Sequence, residues 1–243
     1  MFTPFDVGAY ASSTTIISGG AVKKAAEKTR DQVCCFAAKL LEAAPEELTC
    51  HDDKVVAPNG KSVTMSEVAM FAFYKEKTQL MEGASHFNTD SPPPFCATFA
   101  EVEVDTETGQ VRVAHLVTAV DLGVAINPMQ AEGQAEGAVA QGLGYALAEE
   151  LLLDEHGRVP NASFCDYKIF GAKDMPKLTT ILVETEEPLG PYGAKSIAEV
   201  PINGVAPAVA NAVFHATGIR FRKLPIRPDD VLRALREPAR AQR

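Results

Sequence analysis

The chain has 243 residues, with 23 Lys and Arg against 32 Asp and Glu, a formal charge of −9. Apolar residues make up 46% and charged residues 23%, ordinary proportions for a globular protein, and the length supports a sizeable core in one or two domains. No apolar run reaches the roughly 18 residues of a membrane span, and the acidic balance disfavours nucleic acid, whose phosphates need clustered Lys and Arg.

The amino end, Met1 to Asp6, has neither a basic stretch nor an apolar segment that would suggest export. Five cysteines, at 34, 35, 50, 96 and 165, form no CxxC pair. That spacing speaks against structural zinc, a cluster held by this chain, or a secreted disulfide scaffold. The expectation is a reduced, cytoplasmic protein.

Residues 8–20 are small and hydroxyl-rich, unlike a strand or helix on their own. A helix is predicted from Ala21 to Ala44, stopped by Pro45, with Val33, Phe36, Ala37, Leu40 and Leu41 as its buried stripe. Short strands at 48–50, 54–56 and 62–63 follow, with Asp52-Asp53 and Pro58-Asn59-Gly60 as turns. Ser66 is the expected cap of a helix running to Lys77. Residues 79–94 read as a loop. Strands at 97–104 and 111–120 pair around Asp105–Gly109, and the alternation of Phe99, Glu101 and Glu103 with Ala100, Val102 and Val104 predicts one buried face. Asn127-Pro128 opens a helix to Leu151. A strand at 178–185, a glycine-containing loop at 190–196, a helix from Val205 to Ala216 ending at Gly218, and a short docking helix behind Pro225 complete the chain. The pattern is α+β with mixed hairpins, and no β–α–β alternation is expected.

Three segments break the local folding rules, and such breaks gather at functional sites. The helix at 128–151 carries Gly133, Gly137, Gly142 and Gly144, at about 1 kcal/mol each against Ala. Gln134, Ala138, Gln141 and Tyr145 share one of its faces. Tight packing around a satisfied core Gln is one reading, and close approach to a bulky ligand is the other. The run Ser12-Ser13-Thr14-Thr15, between Gly8 and Gly19, is either a plain helix cap or an anion site built of hydroxyls and backbone N–H groups. The loop Gly190 to Gly204 places a single carboxylate, Glu199, among apolar neighbours, as a helix-start residue or as a working group. Lys195 is either part of that site or an ordinary surface cation.

These three segments, in this order, resemble the C-terminal half of the molybdenum-binding subunit of the xanthine dehydrogenase / aldehyde oxidase family. The resemblance rests on Gly8-Ala-Tyr-Ala-Ser-Ser-Thr-Thr15, Phe99 to Gly109, Asp121-Leu-Gly-Val-Ala-Ile-Asn-Pro128, Gly133 to Gly144, Gly193-Ala-Lys-Ser-Ile-Ala-Glu199, and the ending from Ala206 through Pro228. It covers nearly the whole chain. Where the family more often has Gly before the glutamate, this chain has Ala198.

The resemblance implies an α+β, mixed-sheet molybdopterin-binding domain over residues 1–243, with a subdivision near 95/96. Glu199 would be the general base in a hydroxylation whose oxygen comes from water. Gln134 would donate a hydrogen bond to the apical ligand of molybdenum. Ala11, Ser12 and Thr14 would contact the pterin and its phosphate, and the loop with Ala194, Lys195, Ser196 and Ala198 would present backbone N–H groups. No side chain would ligate the metal directly. The implied cofactor is molybdopterin in its cytosine dinucleotide form, with the 2Fe–2S cluster and FAD on partner chains. Implied partners are a chain carrying the N-terminal half of the molybdenum domain, an iron–sulfur subunit and an FAD subunit. The implied substrate is a purine, another N-heterocycle or an aldehyde, with no nucleic acid and no membrane. On this reading the chain is a split subunit or a fragment, active only with its partners. The rival reading is a non-catalytic assembly subunit.

Overall fold

The computed structural model describes Phe5, Asp6 and residues 8–236. Residues 1–4, read above for export, lie outside the described residues. The chain divides into two units, one of Ile16–Asp90 with the amino end, the other of Gly8–Thr15 with everything from Ser91 onward.

Helix α1 (Thr14–Leu41) belongs to the first unit from Ile16 on. It begins at Thr14 rather than near Ala21, so part of the hydroxyl run is helical. Gly20 has a packing reason: the His86 ring occupies the place where a side chain there would stand. Strands β1 (Thr49–His51), β2 (Lys54–Val56) and β3 (Ser62–Thr64) form an antiparallel sheet in that order. Asp52 and Asp53, with φ of 44° and 60°, make the two-residue turn between β1 and β2. Helix α2 (Met65–Tyr74) is capped by Thr64, not Ser66. The Thr64 hydroxyl accepts from the Glu67 N–H at 3.2 Å, and the Glu67 carboxylate accepts from the Thr64 N–H at 2.7 Å. Thr64 also ends β3, which hides the cap from a linear reading. Val33, Ala37 and Leu41 pack with Leu48, Val55 and Val68 to form the core of this unit.

The second unit is built on β4 (Phe95–Val104), β5 (Val111–Asp121) and β6 (Lys177–Val183), hydrogen-bonded in that order. The β4–β5 hairpin turns on Asp105, whose carboxylate accepts from the Glu107 N–H at 2.8 Å, and closes at Gly109 with φ 76°. Burial alternates along β4 as its sequence predicts. β5 and β6 are parallel, a pairing that needs a crossover, and helix α3 (Pro128–Leu147) supplies it. One β–α–β unit therefore stands where none was expected. α3 ends at Leu147 rather than Leu151, because the Gly144 carbonyl accepts from both Ala148 and Glu149 N–H groups.

Helix α4 (Val200–Thr217) starts at Val200 rather than Val205, since Pro201 falls in the first turn, where its missing N–H is not needed. It ends at Gly218, φ 75°. Helix α5 (Pro228–Arg236) follows and buries Val231. Leu116, Leu143, Val205, Val209, Val213 and Ile226 form the core between the sheet and α3 and α4. Phe95, Phe99 and Ile181 remain exposed. The architecture is α+β with a mixed sheet.

The four glycines of α3 serve two different purposes. A Cβ on Gly142 would lie 2.5 Å from the Val205 Cβ, and one on Gly144 would run into the Glu149 side chain, so both permit close packing. At Gly133 and Gly137 a Cβ would meet nothing within 4 Å. Gly137→Ala should therefore raise stability by up to about 1 kcal/mol. Gly142→Ala should lower it, because overpacking at about 1–3 kcal/mol outweighs the gain in helix propensity. Urea unfolding of the full chain reads both, and equal effects would contradict this division of the glycines.

Candidate functional site

Four stretches of the second unit enclose a cavity of about 760 Å³, within the range of small-molecule sites. They are the turn and helix start at 9–15, the segment 122–127 after β5, the first turns of α3, and the loop 194–199. Of the residues assigned above, Ser12, Thr14, Gln134, Ala194, Lys195, Ser196, Ala198 and Glu199 all line it. Ala11 does not. It stands at the outer corner of a turn closed by the Ser13 N–H on the Tyr10 carbonyl at 3.0 Å, and it is exposed. Ala11 and Ser12 have φ of 46° and 53°, two successive non-glycine residues in the left-handed region, a strain that the surrounding structure must hold.

Three helices begin at this cavity. Thr14 and Thr15 open α1, Asn127 caps α3 by accepting from the Gln130 N–H at 3.1 Å, and Glu199 immediately precedes α4. None of the three has an acidic residue in its first turn. Helix starts carry unsatisfied N–H groups and a partial positive charge, so their convergence favours an anion. The hydroxyl run thus fits the anion-site reading, with the correction that Thr14 and Thr15 lie inside the helix they were expected to precede.

Glu199 is exposed to the cavity rather than sealed among apolar groups. Ser12 is its immediate partner: the Ser12 hydroxyl donates to Glu199 Oε2, and the Glu199 N–H donates to Ser12 Oγ at 3.1 Å. Ser12 therefore holds the carboxylate in place, a role its sequence context did not suggest. Gln134 is exposed on α3, which excludes the satisfied core Gln. Open space at Gly133 and Gly137 lies on either side of it, and Gln141 joins it in an adjoining recess beside Glu199.

Lys195 is neither a surface cation nor an outward contact. Its side chain is 9% exposed and its Nζ lies 2.7 Å from Asp121 Oδ2 and 3.3 Å from the Pro93 carbonyl, 5.9 Å from the centre of the Phe95 ring. Asp121 Oδ1 accepts from the Thr185 hydroxyl at 2.7 Å and the Gly123 N–H at 3.2 Å. Burial pushes the Asp121 carboxyl up, but the hydrogen bonds from Lys195, Thr185 and Gly123, with the Lys195 charge, hold it below the usual carboxylate range. Asp121 entered the sequence reading only as the first residue of a motif. Its partner lies 74 residues away, and no local signal reports such a pair.

With this geometry in view, comparison with known proteins gives the family. The model of the molybdopterin cofactor-binding domain matches residues 1–176. This chain belongs to that family. It is 36% identical over 232 residues to the xanthine dehydrogenase molybdenum-binding subunit of Escherichia coli, covering 93% of this chain and 31% of the relative. It is 33% identical over 216 residues to the carbon monoxide dehydrogenase large chain of Afipia carboxidovorans, covering 86% and 27%. The crystal structure of quinoline 2-oxidoreductase from Pseudomonas putida 86 superposes with a TM-score of 0.88 at 31% identity, covering 96% of this chain and 31% of that one. The chain spans about a third of the length of these relatives and corresponds to a C-terminal portion of them.

The Asp121 carboxyl makes a pH prediction. A carboxyl depressed in the folded state stabilises the fold above its ordinary value near about 4, and the contribution disappears as pH falls through the lower folded value. Unfolding free energy should therefore drop more steeply below about pH 4 in the wild type than in Asp121→Asn, which lacks the titrating group. Urea titrations at a series of pH values test this, and parallel acid limbs would contradict it.

Proposed function

We propose that this chain forms one wall of the catalytic pocket of a molybdenum hydroxylase, an oxidoreductase that places a water-derived oxygen on a purine, another N-heterocycle or an aldehyde. The observation that carries the reading is that Glu199, Gln134 and three helix starts face one cavity in a chain of the molybdopterin-binding family. The residues present suit a phosphate-bearing anionic cofactor. No acidic residue occupies the first turn of α1, α3 or α4, and Gly133 and Gly137 leave the α3 backbone open to close approach. Thr14, Thr15 and the amides of loop 194–198 would hold the pterin and its phosphates, in the proposed cytosine dinucleotide form, and Gln134 would donate its amide N–H toward the metal end. When bound, the cofactor supplies the two-electron oxidation, the electrons leaving to a 2Fe–2S cluster and FAD on partner chains.

The work left to this chain is proton handling. With Oε2 accepting from Ser12, Glu199 presents Oε1 to take a proton from the water that becomes the product oxygen. Ser12 and the start of α4 keep that carboxylate in one place, which a positioned base requires. The names of two relatives, xanthine dehydrogenase and quinoline 2-oxidoreductase, support an N-heterocycle ahead of an aldehyde. We place the substrate-gripping groups on the remaining part of the molybdenum domain, with iron–sulfur and FAD subunits as partners. No helix of the described residues is long and apolar enough to cross a membrane, and we assign the assembly to the cytoplasm.

Glu199→Gln in the assembled complex tests the reading, because Gln keeps volume and hydrogen bonding but removes basicity. Molybdenum content should be unchanged, and single-turnover reduction by purines, quinolines or aldehydes should slow by at least about 10²-fold. Reduction at the wild-type rate would remove Glu199 as the base and favour the non-catalytic assembly role.

A further inference from the structure

We propose that Asp121 and Lys195 are positioning residues for the loop that carries Glu199, their ion pair fixing where the carboxylate and the loop amides stand along the cavity wall. The proposal rests on the function proposed above. Loop 190–199 has little regular structure to hold it. It contains a single 3-10 turn at Pro191–Gly193, with Tyr192 at φ 55° and Gly193 at φ 80°, and one isolated bridge between Gly123 and Ala194.

Two backbone hydrogen bonds tie it to the segment after β5, Lys195 N–H to the Leu122 carbonyl at 2.7 Å and Val124 N–H to the Gly193 carbonyl at 2.8 Å. The approach is so close that a Cβ on Gly123, itself at φ 69°, would lie 2.6 Å from the Lys195 nitrogen. The ion pair stands at the end of this seam nearest Glu199. Asp121 closes β5, Thr185 follows β6, and Lys195 sits four positions before Glu199, so one carboxylate joins three segments.

The side-chain geometry separates this role from its competitors. A lysine recruited to hold an anionic cofactor would keep its ammonium turned to the cavity, whereas Lys195 Nζ is directed at Asp121, the Pro93 carbonyl and the Phe95 ring. A pair present only for stability could be replaced by apolar groups without loss, because removing both charges leaves neither stranded. A positioning pair could not, since apolar side chains do not reproduce the hydrogen bonds that set the loop.

Two readouts test the proposal. The first is amide hydrogen exchange in the full-length protein, which needs no turnover. Lys195→Met and Asp121→Asn should each speed exchange in residues 194–199 at least about tenfold relative to amides of β5. In Asp121→Leu/Lys195→Met the unfolding midpoint should return toward wild type while loop exchange stays fast. The second is the assembled complex, in which the double variant should keep its molybdenum but show a lower limiting rate of reduction by substrate. Loop exchange at the wild-type rate in the single variants, acceleration spread evenly over the unit, or recovery of both loop protection and rate in the double variant would each overturn the proposal. The two ideas fail separately: Glu199→Gln tests the base, and exchange in 194–199 tests the anchor.

Discussion

An anion in this cavity has to be held by neutral donors: backbone N–H groups, hydroxyls and side-chain amides. Among the described residues that line it, the charged side chains are Lys195 and Glu199, and Lys195 is already paired with Asp121. A protein of net charge −9 has no general positive field to draw on. The starts of α1, α3 and α4 provide oriented dipoles without adding a titratable cation. The single carboxylate of that lining, Glu199, stands at the start of α4 with Ser12 as its partner.

The demands of packing and of the cavity meet in α3. Gly142 and Gly144 lie in the core and beside Glu149, where a larger residue would push α4 or a side chain away. Gly133 and Gly137 have no such neighbour, so the helix gives up propensity there without any packing return among the described residues. That imbalance is what a backbone left open for a ligand looks like. Asp121 links the same region to the sheet, since the residue that ends β5 also anchors Lys195 and Thr185. Asp121 thereby ties the loop to β5, the central strand of the sheet.

Much of this was legible along the chain. The β4–β5 hairpin follows from its alternation and from Asp105 and Gly109, and Gly218 marks the end of α4 through its left-handed conformation. Gln134, the hydroxyl run and Glu199 stood out because each breaks a local rule, and the fold gathers them at one cavity. What was not legible depends on partners distant in sequence. The starts of α1 and α4 fall in Ser-, Gly- and Pro-containing stretches of weak propensity, where burial of Ile16 and Pro201 decides the outcome. The parallel pairing of β5 with β6, the Ser12–Glu199 contact and the Asp121–Lys195 pair join residues far apart, and periodicity does not encode such pairings.

We propose that the molybdenum cofactor sits in one cavity, walled by residues 9–15, 122–134 and 194–199. Anomalous diffraction at the molybdenum absorption edge, on crystals of the assembled complex, addresses it directly. A single molybdenum peak per copy of this chain is expected, facing Gln134 and Glu199, with cofactor phosphate density at the helix starts. A molybdenum peak elsewhere in the assembly, with this cavity filled by protein side chains, would contradict it.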